Sequence, residues 1–176
     1  MNMKKRIAGL LVTVALLIPA SAQATDNLLF RGNLVIPDCK VNGGGPIQTD
    51  WGDVEIQTLG MPNTPTHEKE LSISVECPYS LGASKMTIRG DAHTLPGKKG
   101  LRTTKYNEGL LVYLRTKTAD SWVSYNAEQN IPADSISGSG ANKTLTMYAS
   151  LGYYKTMEDL KPGPFTAGAT LEMRYE

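Results

Sequence analysis

Asn27-Leu28-Leu29-Phe30-Arg31-Gly32-Asn33-Leu34-Val35-Ile36 near the start of the chain, and Phe165-Thr166-Ala167-Gly168-Ala169-Thr170-Leu171-Glu172-Met173-Arg174-Tyr175-Glu176 at its end, decide the fold. Each alternates with period two, the signature of a strand with one buried face. In the first, Leu28, Phe30, Gly32, Leu34 and Ile36 share a face; in the second, Phe165, Ala167, Ala169, Leu171, Met173 and Tyr175 do. Neither strand has an evident partner within the chain, and the second is expected to run to the last residue with its edge uncovered. An uncovered apolar edge is a template for another chain, so the pattern predicts a subunit that lends and borrows strands. The self-contained alternative makes 27–36 an ordinary first strand.

Before this comes Lys4-Lys5-Arg6, an apolar run from Ile7 to Ile18, and Ala22-Gln23-Ala24, which together read as a secretory signal peptide cleaved after Ala24. The run stops at Pro19, short of the ~20 apolar residues of a membrane span. Residues 1–24 are thus assigned to the signal peptide, and the remainder has room for one domain. The whole chain carries 18 Lys and Arg against 17 Asp and Glu, and loss of the signal peptide leaves 15 against 17. A net charge near −2 gives no electrostatic case for nucleic acid or an anionic membrane. Export makes the two cysteines, Cys39 and Cys77, a candidate disulfide. The competing reading, a reactive thiol pair, lacks the Cys-x-x-Cys spacing.

Glycine and proline interrupt the chain too often for long helices, and short strands recur in a way that predicts a β-sandwich. Expected strands cover Trp51 to Leu59, Leu71 to Cys77 with Cys77 facing inward, the region of Met86 and Ile88, Gly109 to Lys117 in a central position, and Leu145 to Leu151. Ser135 to Asn142 reads as a flexible connection.

Chemistry-bearing constellations are sparse. His67-Glu68-Lys69-Glu70-Leu71 begins like a zincin motif but has Leu71 where the second histidine should stand, and His93, without companions, reads as a solvated loop residue. Gly138-Ser139-Gly140 does not continue as a dinucleotide fingerprint, and no Gly-x-Ser-x-Gly elbow occurs. No catalytic residue, metal site or cofactor is assigned. Asn142-Lys143-Thr144 matches a glycosylation acceptor but reads as a turn, while Tyr153 and Tyr154 read as packing residues rather than a sugar platform.

Asp26 to Leu34, the pair Cys39 and Cys77, Cys77-Pro78-Tyr79 and the penultimate Tyr175 resemble a chaperone-usher pilin. Asp50 to Leu59, His67 to Glu70, Gly109 to Leu114 and Gly163-Pro164-Phe165 are similar to the tip-fibrillum minor pilins of P pili. Asp38 departs from the small or apolar residue expected before the cysteine. The resemblance implies an all-β, incomplete immunoglobulin-like sandwich lacking its final strand, completed by a donor strand from a chaperone or a neighbouring subunit. It divides the mature chain into an N-terminal donor extension, 25–36, and a pilin domain, 37–176. The donor residues would be Leu28, Phe30, Gly32, Leu34 and Ile36. The chaperone-binding edge of the acceptor groove would comprise Gly163, Phe165, Ala167, Ala169, Leu171, Met173 and Tyr175. Implied partners are a periplasmic chaperone, an outer-membrane usher and neighbouring subunits, copies of this chain included, with export through the periplasm to an extracellular pilus. A sugar-binding adhesin contacting a host surface ligand is the alternative function, and single-domain length argues against it; an enzyme ranks third.

Overall fold

A computed structural model describes residues 28–176, so the expected signal peptide, 1–24, and the first residues of the expected donor extension, Thr25 to Asn27, lie outside the described residues. Residues 28–34 form a separate extended stretch that joins no ladder. The body, from Val35 onward, contains ten strands: β1 (Lys40–Val41), β2 (Thr66–Glu76), β3 (Ser84–Arg89), β4 (Ala92–Leu95), β5 (Lys98–Arg102), β6 (Leu110–Thr116), β7 (Glu128–Asn130), β8 (Ile136–Ser139), β9 (Asn142–Tyr153) and β10 (Thr170–Tyr175). Only short 3-10 turns interrupt them.

The larger sheet has the order β1-β2-β9-β6-β5-β4, with β8 also paired to β9, and the smaller has the order β10-β3-β7. All ladders are antiparallel. The apolar alternation of β9 puts Leu145, Met147, Ala149 and Leu151 on the inner face, against Leu110 and Val112 of β6 and Ile73 and Val75 of β2. Met86, Ile88, Met173 and Tyr175 of the smaller sheet complete this core. The central position expected of β6 is observed, since it lies between β9 and β5. Its outward residues are buried as well: the Tyr113 ring is fully covered, with Trp122 edge-on at 6.1 Å and Gly152 beneath it, where an added Cβ would stand 2.6 Å from the ring.

Cys39 and Cys77 are joined, with their Cα atoms 4.2 Å apart, tying the approach to β1 to the end of β2. Both half-cystines are buried, as the inward phase of Cys77 requires.

Several expectations need correction. Trp51 to Leu59 is not a strand: the Asp50 carboxylate accepts the Gly52 N–H at 2.8 Å, Gly52 takes φ 63°, and Ile56–Leu59 winds into a 3-10 turn. This local turn chemistry overrides the alternation of Val54 and Ile56. Ser135 to Asn142 is no loose connection but largely a hairpin, β8 returning into β9, and the sequon Asn142-Lys143-Thr144 opens β9 instead of forming a turn. Gly138 makes the hairpin possible, with φ 98° and a Cβ position only 2.6 Å from the Asn142 carbonyl oxygen. His93 is half-buried in β4, with ring centroids of Tyr154 and Tyr106 at 4.4 and 5.5 Å. Finally, the C-terminal strand does have a partner. β10 pairs with β3 over its full length, Thr170↔Arg89 to Tyr175↔Ser84, whereas residues 165–169 precede the ladder.

Candidate functional site: an open groove along the sandwich edge

Two sheet edges come together without a strand between them among the described residues. The outer edge of β2 is paired by β1 only at Glu76 and Val75, leaving Thr66 to Ser74 without a ladder on that side. On the smaller sheet, the edge of β10 opposite β3 receives one backbone bond among the described residues, the Cys39 N–H donating to the Met173 carbonyl at 2.8 Å. Before Met173, Thr170 to Glu172 receive no backbone bond on that side among the described residues.

Between these edges runs a groove of about 1120 Å³. That exceeds the ~300–1,000 Å³ of small-molecule pockets. Its floor is the inner face of the large sheet, including Leu110, Val112, Leu114, Met147, Ala149 and Leu151. One lip is the irregular segment 47–59, bringing Trp51, Val54 and Ile56; the other is 160–171, bringing Phe165, Ala167, Ala169 and Leu171. No charged side chain interrupts the floor, so the groove is chemically suited to a row of apolar side chains whose backbone pairs with a free strand edge.

Each lip is anchored to its own side. Trp51 donates its indole Nε1–H to the His67 carbonyl at 2.7 Å, and the His67 ring nitrogens contact the Thr58 and Thr66 hydroxyls at 2.9 and 3.0 Å. On the opposite lip, Lys105 Nζ bonds both Glu108 carboxylate oxygens at 3.0 Å and the Lys161 carbonyl at 2.8 Å, while Glu108 accepts the Lys161 N–H at 2.8 Å. The Lys161 backbone bond and the Lys105 ammonium hold the Glu108 carboxyl below its ordinary pKa. Thr104 N–H donates to the Thr166 carbonyl and Thr166 N–H to the Thr104 hydroxyl, fixing the lip just before Ala167.

Of the C-terminal residues read from the sequence, Gly163, Phe165, Ala167, Ala169 and Leu171 line the groove. Gly163 takes φ 131° at the turn into this lip. Met173 and Tyr175 are buried in the core and lie outside the groove lining, Met173 at the point where Cys39 meets β10 and Tyr175 past it. The apolar face of the N-terminal stretch lies in water: Leu28 is 76%, Phe30 87% and Leu34 102% exposed, Ile36 is also exposed, and Gly32 has no neighbour within 4 Å of its Cβ position. Sequence reasoning missed the lip residues Trp51, Val54, Ile56 and Leu59 as groove walls, and it read the floor residues as ordinary core. Among the described residues, no group of three or more His, Cys, Asp or Glu is placed to hold a metal ion.

A two-sheet immunoglobulin-like sandwich, open along the edge where a last strand would lie, is a pilin fold. The chain belongs to the fimbrial protein family, whose model matches residues 28–176. It is similar to the fimbrial protein PrsE of Escherichia coli, 34% identical over 97% of this chain and 99% of that one, and to the fimbrial adapter PapF of Escherichia coli, 24% identical over 92% and 95%. Among solved structures, the P pilus rod subunit PapA superposes with a TM-score of 0.56 at 17% identity, covering 85% of this chain and 99% of that one. The P pilus adaptor subunit PapF gives 0.53 at 21%, covering 82% and 100%. The chain is a structural subunit of a chaperone-usher pilus of P-pilus type, and membership of this family places it in an extracellular fibre.

Proposed function

We propose that this chain is a tip-fibrillum subunit that folds by borrowing a strand and polymerises by lending one. A periplasmic chaperone first supplies a strand to the groove between β2 and β10. At the outer-membrane usher, the N-terminal extension of a neighbouring subunit, in some positions a copy of this chain, replaces it. In this reading residues 1–24 direct export and are removed, 25–36 is the donor extension, and 37–176 is the acceptor domain. Leu28, Phe30, Leu34 and Ile36 enter a neighbour's groove, with Gly32 where the chain passes closest to its floor.

The observation that carries the proposal is the open groove: an apolar floor and a free β10 edge without a covering strand, in a chain whose own N-terminal stretch exposes an apolar row of matching period. Four large apolar side chains contribute roughly 1.5–3 kcal/mol each on burial, which is comparable to the stability of a whole domain.

The test is a fusion that appends a second copy of Asn27 to Ile36 after Glu176 through a flexible linker. The fusion is expected to be a monomer with a cooperative denaturant transition, whereas the unfused mature chain without a chaperone aggregates or melts at much lower denaturant. An unfused chain that is monomeric and equally stable would overturn the proposal.

A further inference from the structure

Outside residues 28–36, the large apolar side chains exposed among the described residues are Ile47, Met61, Tyr79 and Leu81. Ile47 lines the groove; the other three stand at the two ends of the sandwich. Tyr79 and Leu81 lie on 78–83, the loop from β2 to β3, which is tied at both ends. Cys77 is bonded to Cys39 and donates its N–H to the Ala141 carbonyl at 2.7 Å, while Ala83 exchanges two backbone bonds with Glu176, at 2.6 and 3.0 Å. Held in this way, the loop leaves Leu81 70% exposed. Met61 belongs to the turn 60–64, fixed by the Tyr153 hydroxyl donating to the Gly60 carbonyl at 2.8 Å and the Asn63 N–H donating to the Tyr153 carbonyl at 2.6 Å, and it is 73% exposed. Ala141 precedes β9 and Tyr153 ends it, so the 12 residues of that strand separate the two surfaces. At the ~3.3 Å rise of a strand that is about 36 Å, and the two cannot meet within one chain.

A borrowed strand brings them together between chains. Every ladder of this fold is antiparallel, and a strand seated likewise against β10 has its Ile36 end at the start of β10. That is the Tyr153 end of the sandwich: Thr166 is bonded to Thr104, the Thr103 hydroxyl to the Leu110 carbonyl, and Leu110 is paired with Tyr153. Cys39 follows Ile36 by three residues, about 10 Å of extended chain, and the Cys77 Cα lies 4.2 Å from that of Cys39. The donor's 78–83 loop is thereby drawn onto the acceptor's Met61 turn. We propose that Tyr79 and Leu81 of one copy of this chain pack on Met61 of the next, a head-to-tail apolar contact beside the seated strand that fixes the angle between successive subunits. Two different surfaces of one chain make a contact that repeats without closing, as a fibre needs. The short tether holds them at high effective concentration, so a small apolar patch suffices. This contact rests on the strand-borrowing reading above and adds to it a second surface, outside the groove.

The experiment grows fibres from the mature chain released from its chaperone, with the photocrosslinker p-benzoylphenylalanine in place of Leu81. Illumination is expected to join position 81 to residues 60–65 of an adjacent copy, identified by mass spectrometry of the linked peptides. Met61→Asp in the same chain should lower that yield roughly tenfold, the equivalent of one buried apolar side chain. Without the crosslinker, Met61→Asp and Leu81→Asp should each widen the spread of angles between successive subunits in electron micrographs. Combining Leu81→Asp with Met61→Lys puts an ion pair where the apolar contact was and should narrow the spread again. Uptake of the Asp26 to Ile36 peptide by chaperone-bound Met61→Asp stays parental, which separates this contact from seating of the strand. Crosslinks that fall outside 60–65 of the neighbour, or an angular spread unchanged in both Asp variants, overturn the contact and leave strand borrowing standing. A parent chain that forms no fibre and takes no peptide overturns the reading beneath it.

Discussion

In the fusion carrying a second copy of Asn27 to Ile36, replacing the residue equivalent to Phe30 with alanine separates a seated strand from a merely tethered one. Phe30 and Leu29 are adjacent and similarly exposed, at 87% and 73% in the chain as it stands. They differ in phase, and only the Phe30 face is assigned to the floor formed by Leu110, Val112, Met147 and Leu151. A phenylalanine seated there and truncated to alanine costs about 3–5 kcal/mol, transfer and cavity together. Leu29, pointing away from the floor, costs within about 0.5 kcal/mol. With a urea m-value of about 2 kcal/mol/M, the Phe30-equivalent change lowers the midpoint by about 1.5–2.5 M and the Leu29-equivalent change by about 0.25 M or less. The assay is equilibrium urea unfolding of the three fusions followed by far-UV circular dichroism, with the slopes compared. Equal losses for both positions, or none for either, would refute the phase assignment of the donor strand.

Replacing Cys39 and Cys77 together with alanine, which opens a loop of sequence separation 38, is expected to cost about 4 kcal/mol on the chain-entropy model, read as a fall in urea midpoint of the fusion. Gly152→Ala should destabilise the fusion by about 1–3 kcal/mol, because its Cβ would press on the Tyr113 ring and stand 3.0 Å from the Thr64 carbonyl oxygen. Burial pushes the Tyr113 phenol up to about 12. A pKa raised by folding means stability is fully present below the ordinary tyrosine value and is lost as pH rises from about 10 towards 12, so the urea midpoint should fall across that window and fall less in Tyr113→Phe. At pH 7 the same variant should be at least as stable as the parent, since the Tyr113 hydroxyl is buried without a partner. Gly32→Leu in the peptide should block insertion into the chaperone-bound acceptor; equal exchange rates for the two peptides would show that Gly32 is no point of close approach.

Strands β2, β6 and β9 were legible because their apolar residues recur with period two, or nearly continuously, for seven residues or more. The disulfide was legible from export together with the inward phase of Cys77. The 47–59 lip was not: Val54 and Ile56 alternate as in a strand, and the turn set by Asp50 and Gly52 needs only one hydrogen bond to overrule them. His93 was misplaced because a lone histidine carries no signal of the tyrosines that the fold brings to it from distant positions. The groove floor was legible as apolar but not as uncovered. Leu110 and Leu151 have the same sequence signature whether a strand lies over them or not, and only the topology shows which edge is empty. The N-terminal stretch gave the complementary sign, an apolar face with no ladder.

The half-cystine at position 39 sits only a few residues beyond the extended N-terminal stretch, and its partner lies at the end of β2. A pull on that stretch therefore does not have to peel the two-residue strand β1 away first. The covalent link passes the load directly to β2, whose ladder with β9 runs from Glu76↔Asn142 to Thr66↔Leu151. Reduction of that one sulfur–sulfur bond would leave the two-residue strand β1 as the first joint to carry the load.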